Sequence, residues 1–401
     1  MNKKQKPGLL PKLLLAIFSG LVIGTAAQHL GRFGAVIIRL GATYNDVFGN
    51  FLSFCIPLII IGFVAPGIAD LGQGAGKTLA AATGISYLST IVAGTLAFFV
   101  DFLLFPHLVR ADMFTTQAEN AELTAMKGLI SIEMPPIMGV MSALLLAFVL
   151  GLGMAVINSQ ALRSVMGDFS SIIDRLVSGI VIPLLPLHVY GIFAKLTYAG
   201  TMLQLLTSFL KVFVVVIGLH LLILLLQFSL AGAVSGKNPL GLLKNMIPAY
   251  TTAVGTQSSA ATIPVTVSCT RKNGVSEAIA EFVCPLCATI HLSGSTITLT
   301  SCSMAVMMML GQEVSFAQMF PFILMLGVTM VAAPGVPGGA VMAALGLLAS
   351  QLHFNEDMQG LMIALYIAQD SFGTACNVTG DGAIAVMMDA FTQKARAGRR
   401  D

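Results

Sequence analysis

The chain reads as a succession of long apolar runs separated by short polar breaks. About 20 apolar residues cross the hydrocarbon core of a bilayer. Runs of that order fall at residues 9–27, 45–69, 79–105, 135–157, 170–198 and 204–233, then at 277–304 and 358–391. The pattern predicts eight membrane-crossing helices, with one long polar connection over 106–133. Two further apolar stretches do not make clean crossings. Residues 240–268 break at "VGTQSSAAT" and residues 316–350 break at "VAAPGVPGGA", both punctuated by Gly, Ser, Thr or Pro. Irregular backbone at membrane depth is tolerated only where protein buries it or a watery cavity reaches it. Both stretches therefore predict re-entrant helical hairpins, the first dipping in from the inside and the second from the outside. Each precedes a full crossing, so the unit repeats with inverted topology, and paired breaks of this kind point to a binding site near the midplane.

Composition agrees with the pattern. Of 401 residues 56% are hydrophobic and only 10% charged, outside the range of ordinary soluble domains. The first run, "LLLAIFSGLVIGTAA", follows Lys3, Lys4, Lys6 and Lys12 and has the outline of a signal peptide. The membrane-spanning remainder favours a first crossing instead. With the chain so threaded, Lys77, Arg163, Lys237, Lys244, Arg271, Lys272 and the tail "QKARAGRR" join those lysines on one side. Mainly Arg32, Arg39, Arg110 and Lys127 oppose them. Positive loops stay cytoplasmic, so both termini are predicted inside. The basic tail beside a helix end is a topology anchor rather than a nucleic-acid patch. The six cysteines lie in or beside apolar segments and imply no disulfide framework. Cys284-x-x-Cys287 with His291 is at most half a zinc site, so no transition metal is expected.

The stretch "LYIAQDSFGTACNVTGDGAIAVMM", residues 365–388, places Asp370 and Asp381 inside a membrane helix. Each ionised carboxylate there costs at least about 2.5–3.5 kcal/mol. At helical spacing Asp370, Thr374, Asn377 and Asp381 share one face. Asn or Thr alone would serve as glue between helices. Asp370 and Asp381, with no Lys or Arg in 358–391, need positive partners from elsewhere, which a bound ammonium or metal cation supplies. In 277–304, Thr289, His291, Ser293 and Ser295 lie around Gly294, where the helix is expected to unwind and offer carbonyls to a hard ion. His291 is alternatively a proton relay or a hydrogen-bonded core residue. The tips "QSSAAT" (257–262) and "GVPGGA" (335–340) offer N–H groups and helix starts, which suit a carboxylate guest. Asp370 and Asp381 stand three turns apart, about 16 Å at 1.5 Å per residue. That is too far for paired-carboxylate chemistry, and no enzyme is predicted.

The motifs "SSAATIPVT", "PLCATIHLSGS", "GVPGGA" and "NVTGD" occur in that order, with weaker echoes in "GIADLGQGAGKTLA", "PPIMGVMSALLLAFVLG" and "PLLPLHVYGIF". On these residues the chain resembles the dicarboxylate/amino acid:cation symporters, which have the glutamate-transporter-like fold, over most of its length. The resemblance implies an all-α, elevator-type transporter in a plasma membrane (a bacterial inner membrane), assembled as a homotrimer and needing no cofactor beyond a coupling ion. Residues 1–236 would be mainly scaffold, with the third and sixth helices packing against a transport core over 237–393; residues 394–401 would form a cytoplasmic tail. Asp370 would accept the substrate α-ammonium, with Thr374 and Asn377 as further substrate contacts. Ser258, Ser259 and the backbone of Val336, Pro337 and Gly338 would hold the α-carboxylate. Asp381, with carbonyls near Cys287, His291 and Asn377, would form one Na⁺ site. Thr289, with carbonyls near Met330, Val331 and Ala333, would form another.

Two departures sharpen the expectation. Members that carry acidic amino acids place an Arg where this chain has Gly373, so an acidic side chain would be buried without its bidentate partner. A dicarboxylate would set like charges beside Asp370. A small neutral amino acid of the serine, threonine or alanine type satisfies both points. The family's Asn-Met-Asp-Gly-Thr motif is here His291-Leu292-Ser293-Gly294-Ser295. Its missing Asp weakens a third cation site, resembled by Tyr87 and Thr90, and Ser295 marks a position that bears on specificity. The expected activity is Na⁺-coupled import. Alternatives are H⁺ coupling, another substrate such as cystine or a dicarboxylate, or an uncoupled substrate-gated anion channel or sensor.

Overall fold

The computed structural model describes residues 9–71, 77–109, 128–130, 132–157, 159–200, 202–330 and 338–397. Among them every regular element is helical. Helix α1 (Leu9–His29) turns through Leu30 into α2 (Gly31–Leu71), followed by α3 (Lys77–Leu108). The second helix begins well before residue 45, because Arg32 and Arg39 interrupt the apolar run without interrupting the helix. By contrast α4 (Val140–Ile157) starts later than residue 135, since Pro135 and Pro136 lack the N–H groups a helix interior needs. Helices α5 (Gln160–Leu176) and α6 (Ile182–Tyr198) are joined by a π-helical turn over Val177–Val181. Pro183 has no N–H for the carbonyl of Gly179, and the ladder widens here so that Ile182 donates to the Val177 carbonyl.

Helix α7 (Met202–Ser235) leads to α8 (Pro239–Asn245), capped by Asn238, whose side chain accepts from Leu240 and Gly241 N–H. Helices α9 (Ile247–Thr256) and α10 (Ser259–Lys272) form the first broken pair, and α11 (Glu277–Ile290) and α12 (Ser293–Met309) form an interrupted long helix. The second broken pair is α13 (Phe316–Thr329) and α14 (Gly339–Gln351). The chain then runs through α15 (Glu356–Ala397).

These helices gather into two bodies. Helix α1 lies along α6, and α2 packs on α4, α5 and α6. In the second body α15 is surrounded by α7, α9, α10, α11 and α12, and α3 closes over α12 and α13. Burial is inverted relative to a water-soluble protein: Val156 is 83% exposed while Asp381 is 1% exposed. Among the described residues six helices are long and apolar enough to cross a membrane, and α15 is not one of them.

Candidate functional site

The site is assembled where helices stop. Helix α9 ends at Gln257, which adopts a left-handed conformation (φ 52°), and Ser258 caps α10 by accepting from Ala261 N–H. The break between α11 and α12 falls at His291 and Leu292, ahead of the expected Gly294. Gly294 is required for a different reason: a Cβ there would lie 2.4 Å from the carbonyl oxygen of Gly373 on α15. Asn377 fastens this crossing point. Its Oδ1 accepts from Gly294 N (2.7 Å) and Ser295 N (3.3 Å), and its Nδ2 donates to Ser295 Oγ (2.9 Å). A residue expected to touch substrate is thus also the clip that holds the first turn of α12.

A cavity of about 180 Å³ opens between the first tip, the α11–α12 break and α15. Ser258, Ser259, Thr289, Ser295, Asp370 and Thr374 are among its lining residues, and Asn377 borders it. Drug-sized pockets begin near roughly 300 Å³, so this one suits a smaller guest. Asp370 accepts from Gly338 N at 2.7 Å and from Thr374 Oγ1 at 3.4 Å. Gly338 has φ 79°, a conformation that glycine adopts without strain. Among the described residues no cationic side chain pairs with Asp370. A carboxylate has about four acceptor sites, so capacity remains for a donor from a ligand.

Gly373 does not border this cavity. Its Cβ direction meets Thr298 Oγ1 at 3.5 Å and the Gly294 backbone at 3.7 Å. The position expected to set charge selectivity therefore faces α12, where a Cβ would make ordinary van der Waals contact.

Asp381 is buried. His291 Nδ1 stands 2.9 Å from Asp381 Oδ1, and both residues are buried. The other ring nitrogen is 3.1 Å from Ser89 Oγ and 3.3 Å from Gln227 Nε2. With the Gln227 amide nitrogen as donor, that ring nitrogen accepts and Nδ1–H donates to Asp381. The expected sodium ligands are engaged otherwise: the Cys287 carbonyl takes the His291 N–H (2.8 Å), and an imidazole stands against the carboxylate. Thr289 is exposed to the cavity and donates to the Leu286 carbonyl (2.9 Å), and Met330 is buried at the end of α13. Val331, Ala333, Val336 and Pro337 lie outside the described residues. Tyr87 donates to the Leu324 carbonyl (2.9 Å) and Thr90 to that of Ser86 (3.0 Å), so the hydroxyls resembling a third cation site are bonded to backbone.

The sequence pattern of the sodium:dicarboxylate symporter family matches residues 9–391. The chain belongs to that family. The serine/threonine transporter SstT of Acinetobacter baumannii strain AYE is 26% identical over 400 residues, 95% of this chain and 96% of that protein. The protein of the same name from Acinetobacter baylyi is 25% identical over 395 residues, with the same coverage. This symporter family member is a multi-pass membrane protein and a transporter, not an enzyme.

Three of this symporter's site residues went unremarked in the sequence. Ser89 and Gln227 complete the shell of His291, and Tyr366 donates to Ser295 Oγ at 3.0 Å beside the cavity. Gln227 did leave a signal, as the lone amide in "LLILLLQFSL".

Proposed function

We propose that this symporter imports a small neutral L-amino acid of the serine, threonine or alanine type together with Na⁺. The observation that carries the reading is Asp370: a buried carboxylate beside a small cavity, paired with no cationic side chain among the described residues, suits an α-ammonium. Among the described residues no cationic side chain lines the cavity, which argues against acidic substrates, and the SstT relatives are named for serine and threonine. Ser258 and Ser259 line the cavity and would receive the α-carboxylate, while the Gly338 N–H donates to Asp370. Eight crossings, hairpins over 240–268 and 316–350, cytoplasmic termini and a homotrimer complete the proposal. The grouping of α3 and α7 with α9–α12 and α15 supports an elevator in which that body moves against α1, α2 and α4–α6.

The donors fit sodium unequally. At Asp381 the imidazole already meets the carboxylate, so no ion is assigned there. Thr289 offers a hydroxyl oxygen beside the cavity, and with the end of α13 it would hold the coupling ion, which supplies a positive charge accompanying substrate. The count of coupled sodium ions is accordingly low. The His291–Asp381 pair favours a second reading in which a proton replaces sodium. Uptake of labelled L-serine into proteoliposomes under an inward Na⁺ gradient, with the pH gradient collapsed, separates the two. Accumulation blocked by threonine and alanine supports the proposal, and competition by aspartate or succinate alone refutes the substrate class.

A further inference from the structure

Asp101 belongs to none of the groups above. It lies on α3 within the apolar run "AFFVDFLLF", is 0% exposed, and shares its buried face with Ala97, Phe98 and Phe105. Neither carboxyl oxygen has a hydrogen-bond partner among the described residues. The Ser301 hydroxyl of α12 lies near enough to interact with it, and that hydroxyl has no other partner among the described residues. Next in the chain, Cys302 receives the amide N–H of Gln369 (3.3 Å), whose Oε1 is in turn unpartnered. The α3–α12–α15 seam thus holds buried oxygens without a hydrogen-bond partner among the described residues.

A buried carboxylate deprived of donors and counter-ions is penalised so heavily that it takes up a proton instead. The neighbouring elements offer no remedy. On α7, Lys211 donates to the Leu108 carbonyl (3.0 Å) and His220 bonds the Gly294 carbonyl (3.0 Å). On α15, Asp370 and Asp381 are engaged as described. On α11, the Cys287 thiol bonds Ser86 (3.4 Å), and α13 carries no charged residue. Cys302, beside Ser301 on α12, is a titratable group close enough to Asp101 to interact with its charge. A sodium ion would need several converging oxygens, whereas one proton needs a single acceptor, and the Ser301 oxygen is in place.

We infer that Asp101 is a proton-binding site at the seam of α3 and α12, separate from the Asp370 cavity and from buried Asp381. One H⁺ passes from water to an Asp101 oxygen, the resulting O–H donates to Ser301 Oγ, and release reverses the step. That the proton moves with substrate rests on the transport reading proposed above; the site itself does not.

Infrared spectra of the purified full-length protein, titrated from acid to alkaline pH, test the site without any substrate. A protonated carboxylic acid band that fades as pH rises, is lost in Asp101→Asn and shifts in frequency in Ser301→Ala supports it. Spectra unchanged by Asp101→Asn overturn it. Should Asp101→Asn fail to fold, the Ser301→Ala shift decides in its place. In proteoliposomes with equal Na⁺ on both sides, an inward H⁺ gradient is expected to accelerate L-serine uptake by wild type and to lose that effect in Asp101→Asn. A gradient response equal to that of wild type overturns the coupling. If wild type takes up no serine while the band behaves as expected, the substrate reading fails and the proton site stands.

Discussion

Asp370 and Asp381 stand on one face of α15, three turns apart, and meet opposite surroundings. Asp370 faces a cavity and accepts from one backbone N–H and one hydroxyl, with acceptor capacity left over. Asp381 faces an imidazole that is itself bonded to Ser89 and Gln227, and both residues are buried. The same side chain on the same helix is thus left open in one place and satisfied by the protein in the other. The difference marks Asp370 as the candidate ligand site, because of these two acids it is the one that borders a cavity.

The largest effect should come from breaking the satisfied end. Removing the imidazole with His291→Ala leaves a buried carboxylate unpaired and should cost about 3–5 kcal/mol of stability, read as a lower melting temperature of the solubilised protein. A melting temperature equal to wild type would remove the pairing. At the open end, Asp370→Asn should weaken L-serine binding by roughly two powers of ten or more, the effect of losing one partner of a buried charge pair, with the melting temperature nearly unchanged. Equal affinity would refute the ammonium role.

Gly380 sharpens the comparison, because a Cβ there would come within 2.6 Å of both His291 Cε1 and Gln227 Oε1. Gly380→Ala should therefore destabilise by about 1–3 kcal/mol through overpacking, and a neutral result would mean that the ring can move away. The smallest effect belongs to Glu356, at the start of α15 and outside its apolar stretch. Burial first, then Asp46 and Asp357, push its pKa up to about 7 from 4.5. Between those values the folded state holds a proton that the unfolded chain has released, so stability falls as pH rises from about 4.5 and levels off above about 7. The side chain is half-exposed, so the fall should be about 1 kcal/mol or less. Glu356→Gln should abolish it, as a comparison of melting at pH 5 and pH 8 would reveal.

Much of this arrangement is legible along the chain because it follows from local rules. Both broken pairs interrupt where Gly, Ser and Pro accumulate, and the four-residue polar stripe of α15 follows from helical spacing alone. What escapes is set by which helices meet. His291 and Asp381 are 90 residues apart, and their pairing depends on the α11–α12 break falling at 291–292 rather than at Gly294. The side that Gly373 presents depends on how closely α12 approaches. Asp101, a single acid in an apolar run, was as visible as Gln227, yet only packing reveals that its oxygens have no hydrogen-bond partner among the described residues.

The polarity of α15 bears on how the protein is made. This helix carries both aspartates and is absent from the six that are apolar enough to cross a membrane by themselves. It also follows all the others in chain order. A segment of this kind partitions poorly into lipid on its own. Its polar face must be received by helices already inserted: α7 with Gln227, α11 with His291 and α12 with Ser295. Membrane insertion of the last helix and formation of the binding site are therefore a single event, and a substitution that spoils the site can act first as a defect of biogenesis.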